Sequence, residues 1–259
     1  MDMPDNAQYN YGFVLSGGAA RGFAHLGVAK ALEEEGIRPD ILSGASAGSI
    51  VGAYLADGYL PEEILEIFLT RKLFQFVQFT LPHLGFLSLE GLEEVLEETL
   101  HAKTFEDLKI PLYISATNCN KGKIVYFHKG PLIQCILASS SIPIVFQPRI
   151  INKQYYVDGG VMDNLPVKPL QGKCKKLVGV WINPIGEEKE IKGMVHLAER
   201  TFHLAMAGQV EMKKPFFDIF IEPPELYKYG LMDIKKGREM FETGYKTAKE
   251  VLAGIQRGD

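Results

Sequence analysis

An α/β fold with a mainly parallel sheet is the architecture this sequence predicts, and three observations carry that reading. Short apolar runs end in glycine-rich turns and pass directly into helical periodicity, which is the pattern of parallel strands joined by helices. Hydrophobic residues make up 46% and charged residues 23% of the 259-residue chain, enough apolar material for a large core under a solvated surface. No linker rich in Pro, Gly and Ser divides the chain, so one domain is expected over residues 1–259. Its motif-bearing core is expected at about 11–185, with a C-terminal strand and helices over 186–259.

Taken in order, residues 11–16 (YGFVLS) form a short apolar run closed by a glycine turn and read as a buried strand. Over 22–35 the chain places Phe23, Leu26, Ala29 and Leu32 on one helical stripe with Lys30 outside it, and Gly36 is a natural stop. Residues 40–43 follow Pro39 as a second strand and run into Gly44-Ala45-Ser46-Ala47-Gly48, after which small residues continue as a helix to Ala56. Further strands are expected at 111–117, 123–127, 154–157, 176–182 and 217–221. Helices are expected at 61–71, 89–101, 132–139, 195–212 and 234–255, and 187–192 reads as a charged surface loop.

Composition excludes several classes of function. The net charge is −4 with Lys and Arg scattered, so the basic footprint of a nucleic-acid binder is missing. No run approaches the ~18 apolar residues of a membrane-spanning helix. Three cysteines without a C-x-x-C pair suggest neither a disulfide frame nor a zinc site, and no acidic cluster has the spacing of a calcium loop. No metal and no cofactor is expected. The polar start, Met1-Asp2-Met3-Pro4-Asp5-Asn6, lacks the basic and apolar regions of a secretory signal. The expectation is a cytoplasmic or peripheral membrane protein in a reducing compartment.

Chemistry concentrates in three segments. Gly44-Ala45-Ser46-Ala47-Gly48 is a G-x-S-x-G pattern between a strand and a helix. A serine there sits on a sharp turn that projects its hydroxyl from the sheet, flanked by residues too small to collide with the turn. The helix that follows adds free N–H groups and a positive dipole end. Ser16-Gly17-Gly18-Ala19-Ala20-Arg21-Gly22 ends the first strand, and consecutive glycines there allow backbone N–H groups to converge on negative charge. Nucleotide binding suits this loop poorly: Ala19 interrupts G-x-G-x-x-G, Asp40 begins its strand instead of ending it, and no Lys-Ser/Thr follows Gly22. An oxyanion hole suits it better, because both loops lie at the carboxyl ends of parallel strands.

A serine nucleophile also needs a proton acceptor. Tyr155-Tyr156-Val157-Asp158-Gly159-Gly160 places a carboxylate at a strand end with side-chain-free backbone behind it, although Asp-Gly also suits a plain hairpin turn. The alternative is one of six histidines: His25, His83, His101, His128, His196 and His203. Ser46, Asp158 and then His196 or His203 would match the chain order of an α/β-hydrolase triad.

Together these segments resemble the patatin-like phospholipase family. The resemblance rests on Leu15 to Gly22, Gly44 to Gly48 and Asp158-Gly159-Gly160, supported by Ala138 to Pro143 and Asp163 to Val167, and it runs from about Tyr11 to Ile255. It implies a three-layer α/β/α fold and a Ser–Asp dyad without histidine, with Ser46 as nucleophile and Asp158 as general base. The Gly17, Gly18 and Ala19 amides would form the oxyanion hole, and Arg21 would order that loop or meet substrate charge. Gly22, Gly44, Gly48, Gly159 and Gly160 are the motif glycines. Ala19 departs from the family, which usually has a third glycine there, and alanine tolerates less of φ/ψ space. The implied activity is hydrolysis of lipid acyl esters, such as phospholipids or lysophospholipids. The alternatives are an acyltransferase using the same acyl-serine and an inactive lipid-binding module.

The segment from Phe68 to Leu92 holds Phe68, Phe74, Phe76, Phe79 and Phe86 among leucines. It reads either as packing on the sheet or as a lipid-facing flap or an apolar acyl pocket, where contact with a membrane surface is an option.

Overall fold

The first strand, β1 (Tyr9–Leu15), sets the layering, because its side chains alternate between two apolar cores. Phe13 and Leu15 enter the larger core, whereas Val14 enters a second one with Leu165, Leu170, Trp181 and Met206. The structure is a computed structural model that describes residues 7–70, 88–188, 190–191 and 193–257. Within them β1, β2 (Ile41–Gly44), β3 (Leu112–Asn118), β4 (Lys123–Phe127), β5 (Arg149–Ile151), β6 (Gln154–Asp158), β7 (Cys174–Val180) and β8 (Ile219–Ile221) form one eight-stranded sheet. Its order is β5-β6-β3-β2-β1-β7-β8, with β4 paired to β3 off that path. The β3-β2-β1-β7-β8 portion is parallel, while β4 and β6 run antiparallel to β3, and β5 antiparallel to β6.

Helices cover both faces, giving the three-layer α/β/α arrangement expected from the resemblance. The larger core takes Leu26 from α1 (Phe23–Glu34), Val51 from α2 (Ala47–Asp57), Ile64 from α3 (Pro61–Thr70) and Leu96 from α4 (Glu90–Thr99). It also takes Ile136 from α5 (Leu132–Ser139) and Met240 from α7 (Gly237–Arg257). The opposite face is covered by Met206 and Val210 of α6 (Gly193–Glu211) and by the turn bearing Leu165 and Val167. Among the described residues no helix is long and apolar enough to cross a membrane.

Differences from the expected elements have local causes. β5 is a three-residue strand, too short to show a period, and its partner β6 is what defines it. α7 begins at Gly237 and not at 234, because Ile234–Lys236 forms a single 3₁₀ turn. α1 does not bury one stripe: Phe23 through Ala29 are all buried, because α7 crosses its far side. That crossing needs two glycines. A Cβ on Gly27 would lie 1.9 Å from the Phe241 carbonyl oxygen, and one on Gly244 would lie 2.2 Å from that of Ala24. Of the Phe68 to Leu92 segment, Phe68 is buried in the core and 88–92 are described, whereas Phe74, Phe76, Phe79 and Phe86 lie outside the described residues.

The α1–α7 contact makes two substitutions in one helix behave oppositely. Gly244→Ala forces backbone away from backbone and is expected to lower stability by about 1–3 kcal/mol. A Cβ on Gly254 meets nothing within 4 Å. Gly254→Ala should therefore be stabilising by up to ~1 kcal/mol through helix propensity. Thermal denaturation of the two variants checks this, and equal midpoints would mean that α7 is not seated on α1.

Candidate active site

The turn between β2 and α2 carries Ser46 on a strained backbone, at φ 48° and ψ −121°. Left-handed φ is costly for a residue with a Cβ. The surroundings hold it there: Ser46 N–H donates to Ser139 Oγ at 2.8 Å, and Ala45 N–H donates to the Leu15 carbonyl at 3.1 Å. The flanking glycines are required by contact. A Cβ on Gly44 would lie 2.4 Å from the Gly48 carbonyl oxygen, and one on Gly48 would lie 2.2 Å from that of Leu15. The turn thus packs backbone to backbone against the end of β1, beneath the loop that follows.

Asp158 ends β6, where it pairs with Ala116 of β3. Its N–H donates to the Ser141 carbonyl at 2.9 Å, and Thr117 Oγ1 donates to its carbonyl at 3.0 Å. The chain then enters a 3₁₀ turn, Gly159–Val161, in place of a hairpin, and the Gly160 N–H donates to Asp158 Oδ1 at 2.7 Å. A Cβ on Gly159 would meet Ser115 Oγ at 2.3 Å, so glycine lets the carboxylate reach the centre of the sheet edge. There it lies near enough to the Ser46 hydroxyl for that group to favour its charged form. Ser46 is 6% and Asp158 4% exposed. Burial pushes the Asp158 carboxyl up to about 6, against the opposing pull of the nearby Ser46 hydroxyl and the Gly160 N–H.

The loop after β1 lies directly over the serine, since a Cβ on Gly17 would come 2.9 Å from Ser46 Cβ. Its three amides are not equivalent. Gly17 N–H is occupied, donating to Asn164 Oδ1 at 3.0 Å and to the Asn164 carbonyl at 3.3 Å. Gly18 and Ala19 N–H groups have no acceptor among the described residues. Gly17 is therefore part of the loop's anchor, and the amides open to a ligand narrow to the other two. Ala19 stands at φ 48°, where glycine would sit without strain. Arg21 is buried, and its Nε and Nη2 donate to the Tyr229 carbonyl at 2.9 and 2.8 Å, while Ala20 N–H donates to the Leu231 carbonyl at 3.0 Å. These bonds tie the loop to residues 229–231.

Ser46 and Asp158 open into a cavity of about 570 Å³ walled by Phe23, Leu26, Val51, Phe68, Leu92 and Phe146. Gly17, Gly18, Ala19, Asn164 and Asn183 lie on its polar floor. Of the histidines, His203 lines the cavity, and burial together with the Arg21 and Arg200 charges pushes it down to about 4. His25 is fully buried and its Nε2 donates to the Ser16 carbonyl at 2.8 Å. His101 pairs with Asp57, His128 contacts the Tyr126 carbonyl, and His83 and the His196 side chain lie outside the described residues. Behind the Asp158 turn, buried Asp163 accepts from Lys213 Nζ and from Tyr126 Oη, which balances its charge. No group of three or more His, Cys, Asp or Glu among the described residues converges as metal ligands do.

Sequence reading missed Asn164 and Asn183 as site residues. Asn164 belongs to the Asp163 to Val167 stretch and shows no periodic signal of its own. Asn183 follows the apolar run 176–182, and a polar residue at that strand end was the available cue.

Residues 13–170 match the family model described as patatin-like phospholipase. The lysophospholipase NTE1 of Kluyveromyces lactis is 28% identical over 95% of this chain and 19% of its own length. An uncharacterized NTE family protein of Mycobacterium tuberculosis is 34% identical over 61% of this chain and 44% of its own. This chain thus spans less than half the length of these relatives. VipD from Legionella pneumophila shares the fold, with a TM-score of 0.57 at 16% identity over 95% of this chain and 67% of that one.

The buried Asp158 carboxylate should destabilise the fold when ionised. Its pKa is raised above the ordinary 3.8, so its contribution to stability is fully present below pH ~4 and is lost as pH rises through about 6. Asn at 158 keeps an acceptor for the Gly160 N–H without the charge. Asp158→Asn should therefore equal the wild type in stability near pH 4 and exceed it by up to about 3 kcal/mol at pH 8. Denaturation at both pH values checks this; a less stable variant at pH 8 would contradict the burial argument.

Proposed function

The chain belongs to the patatin-like phospholipase family, and from that premise we propose that it is a serine acyl hydrolase cleaving carboxylic esters of lipids through Ser46 and Asp158. The observation that carries this reading is the convergence of the Ser46 hydroxyl and the Asp158 carboxylate, both buried, on the lining of one apolar cavity. Substrate enters with its acyl chain between Phe23, Leu26, Phe68 and Phe146, and its carbonyl above Ser46. Ser46 Oγ attacks the carbonyl carbon while its proton passes to Asp158. The oxyanion is held by the Gly18 and Ala19 N–H groups, which have no acceptor among the described residues.

When the intermediate collapses, the proton on Asp158 passes to the departing alcohol, leaving an acyl-serine. Water then attacks by the reverse route with Asp158 again taking the proton. A carboxylate near its ordinary pKa is a poor base for a hydroxyl, and burial to about 6 improves the match to neutral pH. The strained backbone of Ser46 adds orientation, so most of the acceleration is assigned to positioning and oxyanion stabilisation. Arg21 acts here as a brace for the loop through the Tyr229 carbonyl.

Monoacyl lipids are the proposed substrate class. Among the described residues an apolar cavity adjoins the serine, and a similar fungal protein is named a lysophospholipase. Phe68, Leu89 and Leu92, at the two described ends of the 68–92 segment, line that cavity and belong to the same acyl-pocket reading.

Chromogenic esters of rising acyl length, run beside a lysophospholipid and a diacyl phospholipid, test this directly. Specificity, kcat/KM, should climb roughly two- to fourfold per methylene until the cavity is filled. Ser46→Ala and Asp158→Asn should each remove turnover by 10³-fold or more on the order of a lost nucleophile or base, while remaining folded. The rate should rise with pH through about 6 and then level off, because only the ionised Asp158 accepts a proton. Wild-type turnover by either folded variant would reject the assignment.

A further inference from the structure

In a trans peptide the carbonyl and the following N–H share one plane and point in opposite directions. A hydrogen bond at one end therefore aims the other. Along the loop after β1, the Ser16–Gly17 peptide is held at both ends: His25 Nε2 donates to the Ser16 carbonyl at 2.8 Å, and Gly17 N–H donates to Asn164 Oδ1 at 3.0 Å. The Gly17–Gly18 peptide is held at one end only. Asn183 Nδ2 donates to the Gly17 carbonyl at 2.6 Å, and the Gly18 N–H at the opposite end has no acceptor among the described residues.

We propose that Asn183 is a positioning residue for acyl transfer: by fixing the Gly17–Gly18 peptide plane it directs the Gly18 N–H at the carbonyl oxygen of an ester bound at Ser46. This rests on the acyl-hydrolase reading above. Asn183 is suited to the task by its place in the fold. It follows β7, the sheet neighbour of β1, and is 1% exposed, so its side chain has little room to turn. A Cβ on Gly18 would lie 2.7 Å from Ile182 Cδ1 and 2.9 Å from Asn183 Oδ1, so Gly18 rests on both side chains. The Asn183 Oδ1 atom is buried and makes no hydrogen bond among the described residues. That unpaired acceptor is a cost to folding, whereas the amide donor on the same side chain is used on the one carbonyl whose orientation sets the oxyanion donor. Glycine at 18 allows the peptide to rotate easily, and a free Gly17 carbonyl would leave the N–H aimed at no single point.

The test is kinetic, with Asn183→Leu as the near-isosteric variant that lacks the donor and Asn183→Ala as a second. Wild type and Ser46→Ala are run in parallel on a soluble chromogenic ester. Loss of the anchor should lower kcat by roughly 10²-fold, the lower range for losing one oxyanion donor, with KM within about twofold. The midpoint of the pH–rate profile should stay near 6, since Asp158 is untouched. A kcat within about threefold of wild type, or a loss that appears in KM or shifts the pH midpoint, overturns the Asn183 proposal alone. A wild type with no turnover dependent on Ser46 removes the hydrolase reading and this proposal with it. Should neither variant fold, the Gly18 amide proton of ¹⁵N-labelled wild type is followed as a fluorophosphonate reacts with Ser46. It should move downfield while Gly17 stays; an unmoved Gly18 signal overturns the proposal.

Discussion

The backbone of residues 44–48 passes in direct contact with the carboxyl end of β1, and the rest of the site depends on that approach. Gly48 rests on the Leu15 carbonyl, Ala45 N–H bonds to the same oxygen, and Gly17 lies over the Ser46 side chain. Two loops that would cooperate in the proposed acyl transfer are thereby packed as one unit. Parallel pairing of β1 with β2 makes this possible, because it brings both strand ends to the same edge of the sheet. The strain at Ser46 persists because bonds to Ser139 and from Ala45, together with packing on both sides, outweigh it.

Electrostatics then follow from depth. Asp158 reaches the same edge from an antiparallel strand and arrives almost without solvent. Its carboxylate has the Ser46 hydroxyl and the Gly160 N–H beside it, so desolvation wins and burial pushes the group up to about 6. Asp163, five residues on, lies similarly deep but has Lys213 and Tyr126 against it. Two buried carboxylates on one turn are thus given different surroundings: Asp163 is paired with a cation, whereas burial raises Asp158, the general base of the proposed reaction.

Hydrophobic period and turn chemistry read correctly where neighbours only reinforced them. The strand at 123–127 and the helix at 132–139 have the bounds their sequence implies. Reading failed where a neighbour supplied the cause. β5 exists through its pairing with β6, and α1 is covered on its outer side by α7 through Gly27 and Gly244, which look like ordinary helix interruptions in the sequence. The loop after β1 illustrates the same limit. Its glycines advertise converging amides, yet which amide is free is decided by Asn164 and Asn183, both distant in the chain.

Residue order alone determined the reactive vocabulary: a serine between glycines, a glycine loop before it, and an aspartate ahead of two more glycines. Those are local features, because each reflects what one turn's backbone permits. Tertiary structure alone decided which groups face one another, that burial pushes the Asp158 carboxyl up to about 6, and that Gly17's amide is spent on Asn164. Burial and partner geometry arise from contacts between segments far apart in sequence, and no single segment encodes them.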